Sequence, residues 1–287
     1  MDGFKTALDM LPLKFRQPAE TLGPEGAEEI RLRVNYRPTI LYSGKERELN
    51  CQPVSSDDIK RIIEKISGAS LQTVSSEILQ GYVNCNGLRV GICGRGIFEN
   101  DSLTGFRDFS SVNIRIPREH KGICSSLFNE LYIKGFKNTL IISSPGLGKT
   151  SLLRELIRLL SLKSYRIGIA DDRNELSASQ NAVAQFELGP HTDIIIDTPK
   201  AKAAMLLLKS MNEQIIAMDE ISSGQDIAAV TEIFGCGVKI LATAHASCKD
   251  ELYMQPLYRK LLDQGIFTFL ITISSDENGR QYKAERL

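Results

Sequence analysis

The chain carries no excess of either charge. Its 35 Lys and Arg balance 35 Asp and Glu, for a formal net charge of zero. Without a basic surplus, sequence-independent attraction to nucleic acid lacks its usual electrostatic drive. A basic tract with interleaved stacking aromatics is also missing, which argues against a groove for single strands. Six cysteines stand at 51, 85, 93, 124, 236 and 248, with no C-x-x-C pair and no neighbouring Cys/His cluster. That spacing fits neither a zinc site nor a disulfide framework, and it predicts reduced thiols in a cytoplasmic protein. No apolar run approaches the roughly 20 residues of a membrane-spanning helix. The opening MDGFKTALDMLPLKFR lacks the apolar stretch of a secretory leader. Any membrane association is therefore expected to be peripheral, through a partner.

What is present is the composition of a folded protein, 42% hydrophobic and 24% charged, over 287 residues. That length suits two domains. Residues 1–134 show short strand-like runs at Ile30–Val34 and Thr39–Tyr42. They also hold one clear helix, Ser56–Ile66, capped by Ser55 or Ser56 and striped by Ile59, Ile62, Ile63 and Ile66. The glycine-dense GLRVGICGRG at 87–96 predicts a strand whose backbone bends or is closely approached. It is no dinucleotide fingerprint, because no helix follows.

From residue 135 the rhythm becomes strand, loop, helix. Apolar runs at Thr139–Ile142, Arg166–Ala170, Ile194–Ile196, Ile215–Met218 and Val238–Ala242 read as buried strands. Helices are expected at Thr150–Leu160, with Leu152, Leu153, Leu156, Leu159 and Leu160 inward, and at 200–211 and 226–234. The alternation predicts an α/β fold, a mostly parallel sheet covered by helices, in residues 135–287. A smaller α+β domain, residues 1–134, precedes it. Phe267–Ile273 and Gln281–Glu285 flank Glu277-Asn278-Gly279 and predict a terminal hairpin turning on Asn-Gly.

The chemistry concentrates in LIISSPGLGKTSLLREL, residues 140–156. An apolar strand enters Ser144-Pro145-Gly146-Leu147-Gly148-Lys149-Thr150-Ser151, and a leucine-rich helix leaves it. This is the setting of a phosphate-binding P-loop. Loop and helix N–H groups can face a nucleotide's phosphates, Lys149 supplies a point charge, and the Thr150 hydroxyl can ligate Mg²⁺. The pattern G-x-x-x-x-G-K-[ST] is broken at its first glycine, where Ser143 stands.

Phosphoryl transfer also requires an acid on the metal side and a group to orient or deprotonate water. The apolar run Ile215–Met218 ends in Asp219-Glu220, 69 residues beyond Thr150. Asp219 fits the magnesium-side acid (Walker B), and Glu220 fits the base. Asp171-Asp172-Arg173-Asn174-Glu175 closes another strand, where an open α/β sheet binds its ligands. Thr243-Ala244-His245 ends a third, and either Thr243 or His245 could sense a γ-phosphate. Asp193 and Asp197, flanking a further strand, read as surface turn acids.

Collected, these residues are similar to a known family. The likeness spans E-I-R-L-R at 29–33, Leu88–Gly91 with Gly94-Arg95, Arg107-Asp108, and Ser110–Ile116. In the second half it takes in Pro145–Thr150, the acid box at 171–175, Pro199-Lys200, Ser210-Met211, Asp219–Ile221 and Thr243–His245. The chain resembles the stage III sporulation protein AA family of endospore-forming bacteria, relatives of the type II and type IV secretion ATPases. The resemblance implies an N-terminal domain joined to a RecA-like P-loop ATPase domain, working with ATP and Mg²⁺ as a homo-oligomeric ring, a hexamer.

It further implies that Asp171, Asp172 and His245 line the nucleotide site, with Lys149 and Glu220. Arg95, Arg107 or Arg115 of the N-terminal domain could then reach the phosphates. The implied role is to power or assemble a channel between mother cell and forespore, with channel proteins of the same sporulation operon as partners, on the mother-cell side. Two positions depart from the family pattern: Ser143 replaces the usual glycine, and Asp172 stands where glutamate is common. Two other readings stay open on the residues alone, a nucleic-acid-stimulated RecA-like motor and a nucleotide-binding ring that does not hydrolyse.

Overall fold

Strand and helix patterns segregate into two compact units, Met1–Arg118 and Glu119–Leu287, in the computed structural model. It describes residues 3–68, 78–117, 121–132, 134–179, 183–276 and 279–287.

In the first unit, helices α1 (Gly3–Met10), α2 (Leu13–Glu20) and α3 (Ser56–Ile66) accompany strands β1 (Ala27–Arg33), β2 (Thr39–Tyr42), β3 (Lys45–Glu48), β4 (Tyr82–Cys85), β5 (Leu88–Glu99) and β6 (Ser102–Arg115). The strands form an antiparallel sheet in the order β3-β2-β1-β6-β5-β4. Helix α3 starts where Ser55 caps it: the Asp58 amide donates to Ser55 Oγ (3.2 Å), and the Ser55 amide donates back to Asp58 Oδ2 (2.7 Å). This reciprocal box satisfies two donors that a helix start otherwise leaves open. The stripe Ile59, Ile62, Ile63, Ile66 is buried against Ile30, Leu32, Val90 and Ile114 of the sheet's apolar face. Strand β5 shifts register at Cys93/Arg95. A Cβ on Gly94 there would lie 2.8 Å from the Arg107 carbonyl oxygen, so this glycine is the close approach its sequence anticipates.

The second unit adds α4 (Ser125–Tyr132), β7 (Thr139–Ser143), α5 (Lys149–Leu162), β8 (Ile167–Asp171), β9 (Thr192–Ile196), α6 (Lys200–Ser210) and β10 (Ile215–Met218). It closes with α7 (Gly224–Gly235), β11 (Lys239–His245), α8 (Lys249–Met254), α9 (Pro256–Asp263), β12 (Phe269–Asp276) and β13 (Gly279–Arg286). The sheet order is β13-β12-β7-β11-β10-β8-β9, parallel throughout except for the β12/β13 hairpin. Covering a parallel sheet on both faces buries its central strands, and β10 reads as a continuous apolar run for that reason. Its Ile216 and Met218 join one core with α6, α7 and α9, while Ile215 and Ala217 join the other with α4 and α5.

Helix α4 packs into this second core through Phe128 and Tyr132, and the Tyr132 hydroxyl pairs with Thr139 Oγ1 at 2.8 Å. The hairpin strands pair from Phe269↔Arg286 to Asp276↔Gly279. The turn expected at Glu277-Asn278 lies outside the described residues.

Parallel register aligns the strand ends. Ser143 on β7 pairs with His245 on β11, and Met218 on β10 pairs with Ala242 on β11 and Ala170 on β8. The C-terminal ends of four strands therefore deliver their polar residues to one edge of the sheet, where such folds bind ligands.

Candidate functional site

Strand β7 ends at Ser143, and the chain reaches α5 through a loop in which Gly146 (φ 79°) and Gly148 (φ 95°) are both left-handed. Those two conformations call for glycine. Gly148 is the N-cap of α5 and, lacking a side chain, leaves the helix's first amides without a side-chain acceptor. Such amides, at the positive end of the helix dipole, suit an anion. Ser143 differs. It is buried in the strand, its φ is not positive, and its hydroxyl donates to the Ser144 carbonyl at 2.7 Å. No backbone requirement for glycine exists there.

Lys149 turns back across the loop, its Nζ 3.1 Å from the Ser143 carbonyl and 3.2 Å from His245 Nδ1. Burial lowers its pKa, while Asp219 and Glu220 pull the other way. With Lys149 donating to Nδ1, His245 carries its ring proton on Nε2, which lies 3.2 Å from Glu220 Oε1. His245 thus links the loop lysine to the strand-end acid.

The Thr150 hydroxyl donates to Asp219 Oδ2 at 2.8 Å, and the Thr243 hydroxyl donates to Asp219 Oδ1 at 2.7 Å. Thr243 Oγ1 in turn accepts the Glu220 amide at 2.7 Å. Thr243 is fully buried and bridges the two acids. Glu220 is left-handed (φ 53°), its carbonyl accepts from Lys200 Nζ at 2.6 Å, and its Oε2 lies 3.5 Å from Arg173 Nη1.

The acid box splits in two. Asp171 is buried, and its carboxylate accepts four hydrogen bonds from its own turn. They come from the amides of Glu175 (2.9 Å), Leu176 (3.1 Å) and Ser177 (2.8 Å) and from Ser177 Oγ (2.7 Å). Burial still pushes its carboxyl above the usual carboxylate range. Both oxygens of Asp171 are thus committed to folding the loop that follows the strand. Asp172 is partly exposed beside Asp197, whose pKa is raised by burial and by Asp172. With Asp171, Arg173, Lys200, Asp219 and Glu220, it lines a cavity of about 20 Å³.

Ser144, Pro145, Gly146, Leu147, Gly148 and Ser151 all lie in the loop and the first turn of α5, as their spacing implies. The arginines Arg95, Arg107 and Arg115 belong to the first unit and have acidic partners within it. Arg115 Nε lies 3.4 Å from Glu29 Oε1, and Arg95 and Arg107 stand 3.9 and 4.0 Å from Asp108 Oδ2.

The family described as sporulation stage III, protein AA, matches residues 7–283. The chain belongs to that family. Stage III sporulation protein AA of Bacillus subtilis (strain 168) is 33% identical over 253 residues, covering 86% of this chain and 82% of that protein. Among solved structures, the Legionella pneumophila ATPase DotB superposes with a TM-score of 0.60 at 14% identity, over 96% of this chain and 80% of DotB. The pilus retraction motor PilT, solved with bound ADP, superposes at 0.61 and 15% identity, over 96% and 82%. The chain therefore shares the fold of DotB and PilT, an α/β domain with a mostly parallel sheet preceded by an antiparallel one.

Four side chains join the site in roles that their sequence positions do not assign. Thr243 and Lys200 stand in stretches that carry the family resemblance, but nothing local says that they hold Asp219 and Glu220. Arg173 sits in the acid box and reaches Glu220 only because its turn folds on Asp171. Arg280, at the start of β13, has no local signal at all. A Cβ on Gly148 would lie 3.1 Å from its Nη1, so the hairpin lays a guanidinium against the P-loop from the flank opposite the acids.

Proposed function

We propose that the chain is a Mg²⁺-dependent ATP hydrolase that works as a homo-oligomeric ring to power or assemble a channel during sporulation. The observation that carries the reading is the convergence of three elements within hydrogen-bonding distance. The P-loop Thr150 meets the strand-end Asp219, while Lys149 meets His245 and His245 meets Glu220. A phosphate loop alone serves many purposes; one coupled to an acid on the metal side and a second acid beside it serves hydrolysis.

The donor set fits magnesium. Thr150 Oγ1 and Asp219 Oδ2 are hard oxygens already 2.8 Å apart, and among the described residues no cluster of three His, Cys, Asp or Glu could hold a metal by itself. That combination suits an ion that arrives with phosphates and keeps waters, as Mg²⁺ does. When bound, the ion would neutralise charge on the phosphate oxygens.

The chain's own residues supply the rest. The amides at the start of α5 and the Lys149 ammonium receive the phosphates. Thr243 fixes the rotamer of Asp219. Glu220 accepts a proton from the attacking water, and His245 orients its carboxylate between Lys149 and Arg173. The family membership and the ADP held by PilT support nucleotide as the ligand, and the family's name supports sporulation as the setting. No helix among the described residues is long and apolar enough to cross a membrane, which suits a motor docked on channel proteins.

The test is hydrolysis of Mg-ATP by the purified protein at concentrations where its oligomeric state is measured alongside. Lys149→Ala is expected to abolish turnover and weaken ATP binding. Equal turnover by that variant would overturn the assignment.

A further inference from the structure

Among the described residues Glu220 is one of twelve non-glycine residues in the left-handed region and the one glutamate, and it stands two positions after the last residue of the buried strand β10. For a residue with a Cβ this conformation is strained, and it persists only where neighbours enforce it. Two neighbours do so here, one on each side of the residue. The Glu220 amide donates to Thr243 Oγ1 at 2.7 Å, and the Glu220 carbonyl accepts from Lys200 Nζ at 2.6 Å.

Lys200 is itself unusual, a lysine 7% exposed at the first position of α6. Its charge stands at the positive end of the helix dipole, where a cation is disfavoured. Burial of an ammonium without a carboxylate on it is costly as well. No ion pair offsets that cost among the described residues, and the one hydrogen bond it makes there goes to the Glu220 carbonyl. A buried cation spent on one carbonyl is a poor stabiliser and a specific clamp.

We infer that Lys200 is a positioning residue for hydrolysis. It holds Glu220 left-handed and so aims the carboxylate at His245 and the γ-phosphate side of the site rather than along the strand. The catalytic half of this inference rests on the hydrolase reading; the conformational half does not. Rotating the 219–220 peptide out of this geometry would break the Thr243 contact and carry the carboxylate away from His245 Nε2, now 3.2 Å from it. The lock also reports on α6, since Lys200 can hold Glu220 only while the start of that helix stays packed beside the acid-box turn.

The two halves are tested separately. In a stability cycle, Lys200→Met, Glu220→Gly and the double variant are melted without nucleotide. Glycine takes the left-handed conformation freely. The shift in Tm caused by Lys200→Met is therefore expected to be about 3 °C more destabilising with glutamate at 220 than with glycine there. Equal shifts in both backgrounds would overturn the clamp.

In a kinetic cycle, Lys200→Met is expected to retain wild-type ADP affinity while kcat for Mg-ATP falls about tenfold or more. It should cost little further in a Glu220→Gln background, and Lys200→Arg should recover part of the loss. An unchanged kcat, or a full additional loss on top of Glu220→Gln, would overturn the positioning role. If the wild type failed to hydrolyse ATP as an assembled ring, the hydrolase reading and the kinetic half would fall together. The stability cycle would still decide the clamp.

Discussion

Thr150 Oγ1 lies 2.8 Å from Asp219 Oδ2, joining the first turn of α5 to the end of β10 across 69 residues of sequence. The contact needs β11 between the two strands, because Thr243 of β11 holds the other Asp219 oxygen at 2.7 Å. Removing one partner would leave a part-buried charged oxygen without its donor, the costly way to lose a hydrogen bond. The site is thus a property of three adjacent strands rather than of one loop.

Glu220→Gln should separate binding from chemistry. The amide keeps the volume and a contact to His245 but cannot take a proton. Affinity for ATP should remain near wild type, while turnover falls by about 100-fold or more. Nucleotide titration beside a phosphate-release assay measures both, and wild-type turnover would move the base elsewhere.

Ser143→Gly restores the usual first residue of the loop. Since Ser143 sits in strand conformation and its hydroxyl bonds Ser144, the change removes a buried hydrogen bond and adds backbone freedom. It should lower stability by about 1 kcal/mol and leave hydrolysis unaltered. A faster enzyme in the same assay would mean that serine restrains the loop.

Asp171→Asn should act on stability before catalysis. Its carboxylate oxygens accept four hydrogen bonds, and an amide nitrogen would point a donor at other donors. The expected loss is about 2 kcal/mol in chemical denaturation. Asp172→Asn, at a partly exposed position, should cost far less.

Glu213 predicts a pH effect away from the site. It is 5% exposed, with no donor to its carboxyl oxygens, and burial with the neighbouring Asp193 pushes its pKa to about 7. Any hydrogen bond between these two carboxyls requires a shared proton. Because the folded pKa lies above the unfolded one, the folded state holds the proton longer. Stability is then full below the ordinary glutamate value of 4.5 and falls as pH rises to about 7. Asp193 is exposed and solvent-screened, so a loss of about 1–2 kcal/mol is expected from pH 5 to 8. Glu213→Gln should flatten that part of the stability profile, as thermal melts across the range would reveal.

Much of the fold was legible along the chain because its causes are local. The stripe at Ile59, Ile62, Ile63 and Ile66 and the Ser55 cap mark α3 to the residue. Buried parallel strands announce themselves as apolar runs, and Ile215–Met218 is found as read. Strands β3 and β4 escape that reading: β3 is exposed along its length, and β4 buries one residue, so neither carries an apolar pattern. Helix α4 buries Phe128 and Tyr132 and packs Leu127 and Leu131 against the same core, but at eight residues it is too short for the stripe to stand out.

Residue order alone marks the glycine loop, the two strand-end acids and His245 as a candidate site. Those signals are runs of residues whose chemistry does not depend on distant neighbours: glycines for left-handed turns, a lysine for charge, acids after an apolar strand. The task of each acid is settled by packing instead. Asp171 and Asp172 are adjacent in the chain, yet one is consumed by its own turn and the other left beside Asp197, because a strand's alternation and the turn after it aim neighbouring side chains differently. Likewise Thr243, Lys200 and Arg280 enter the site through sheet order and helix packing. Those are long-range facts, set by which strands lie side by side, and no local pattern encodes them.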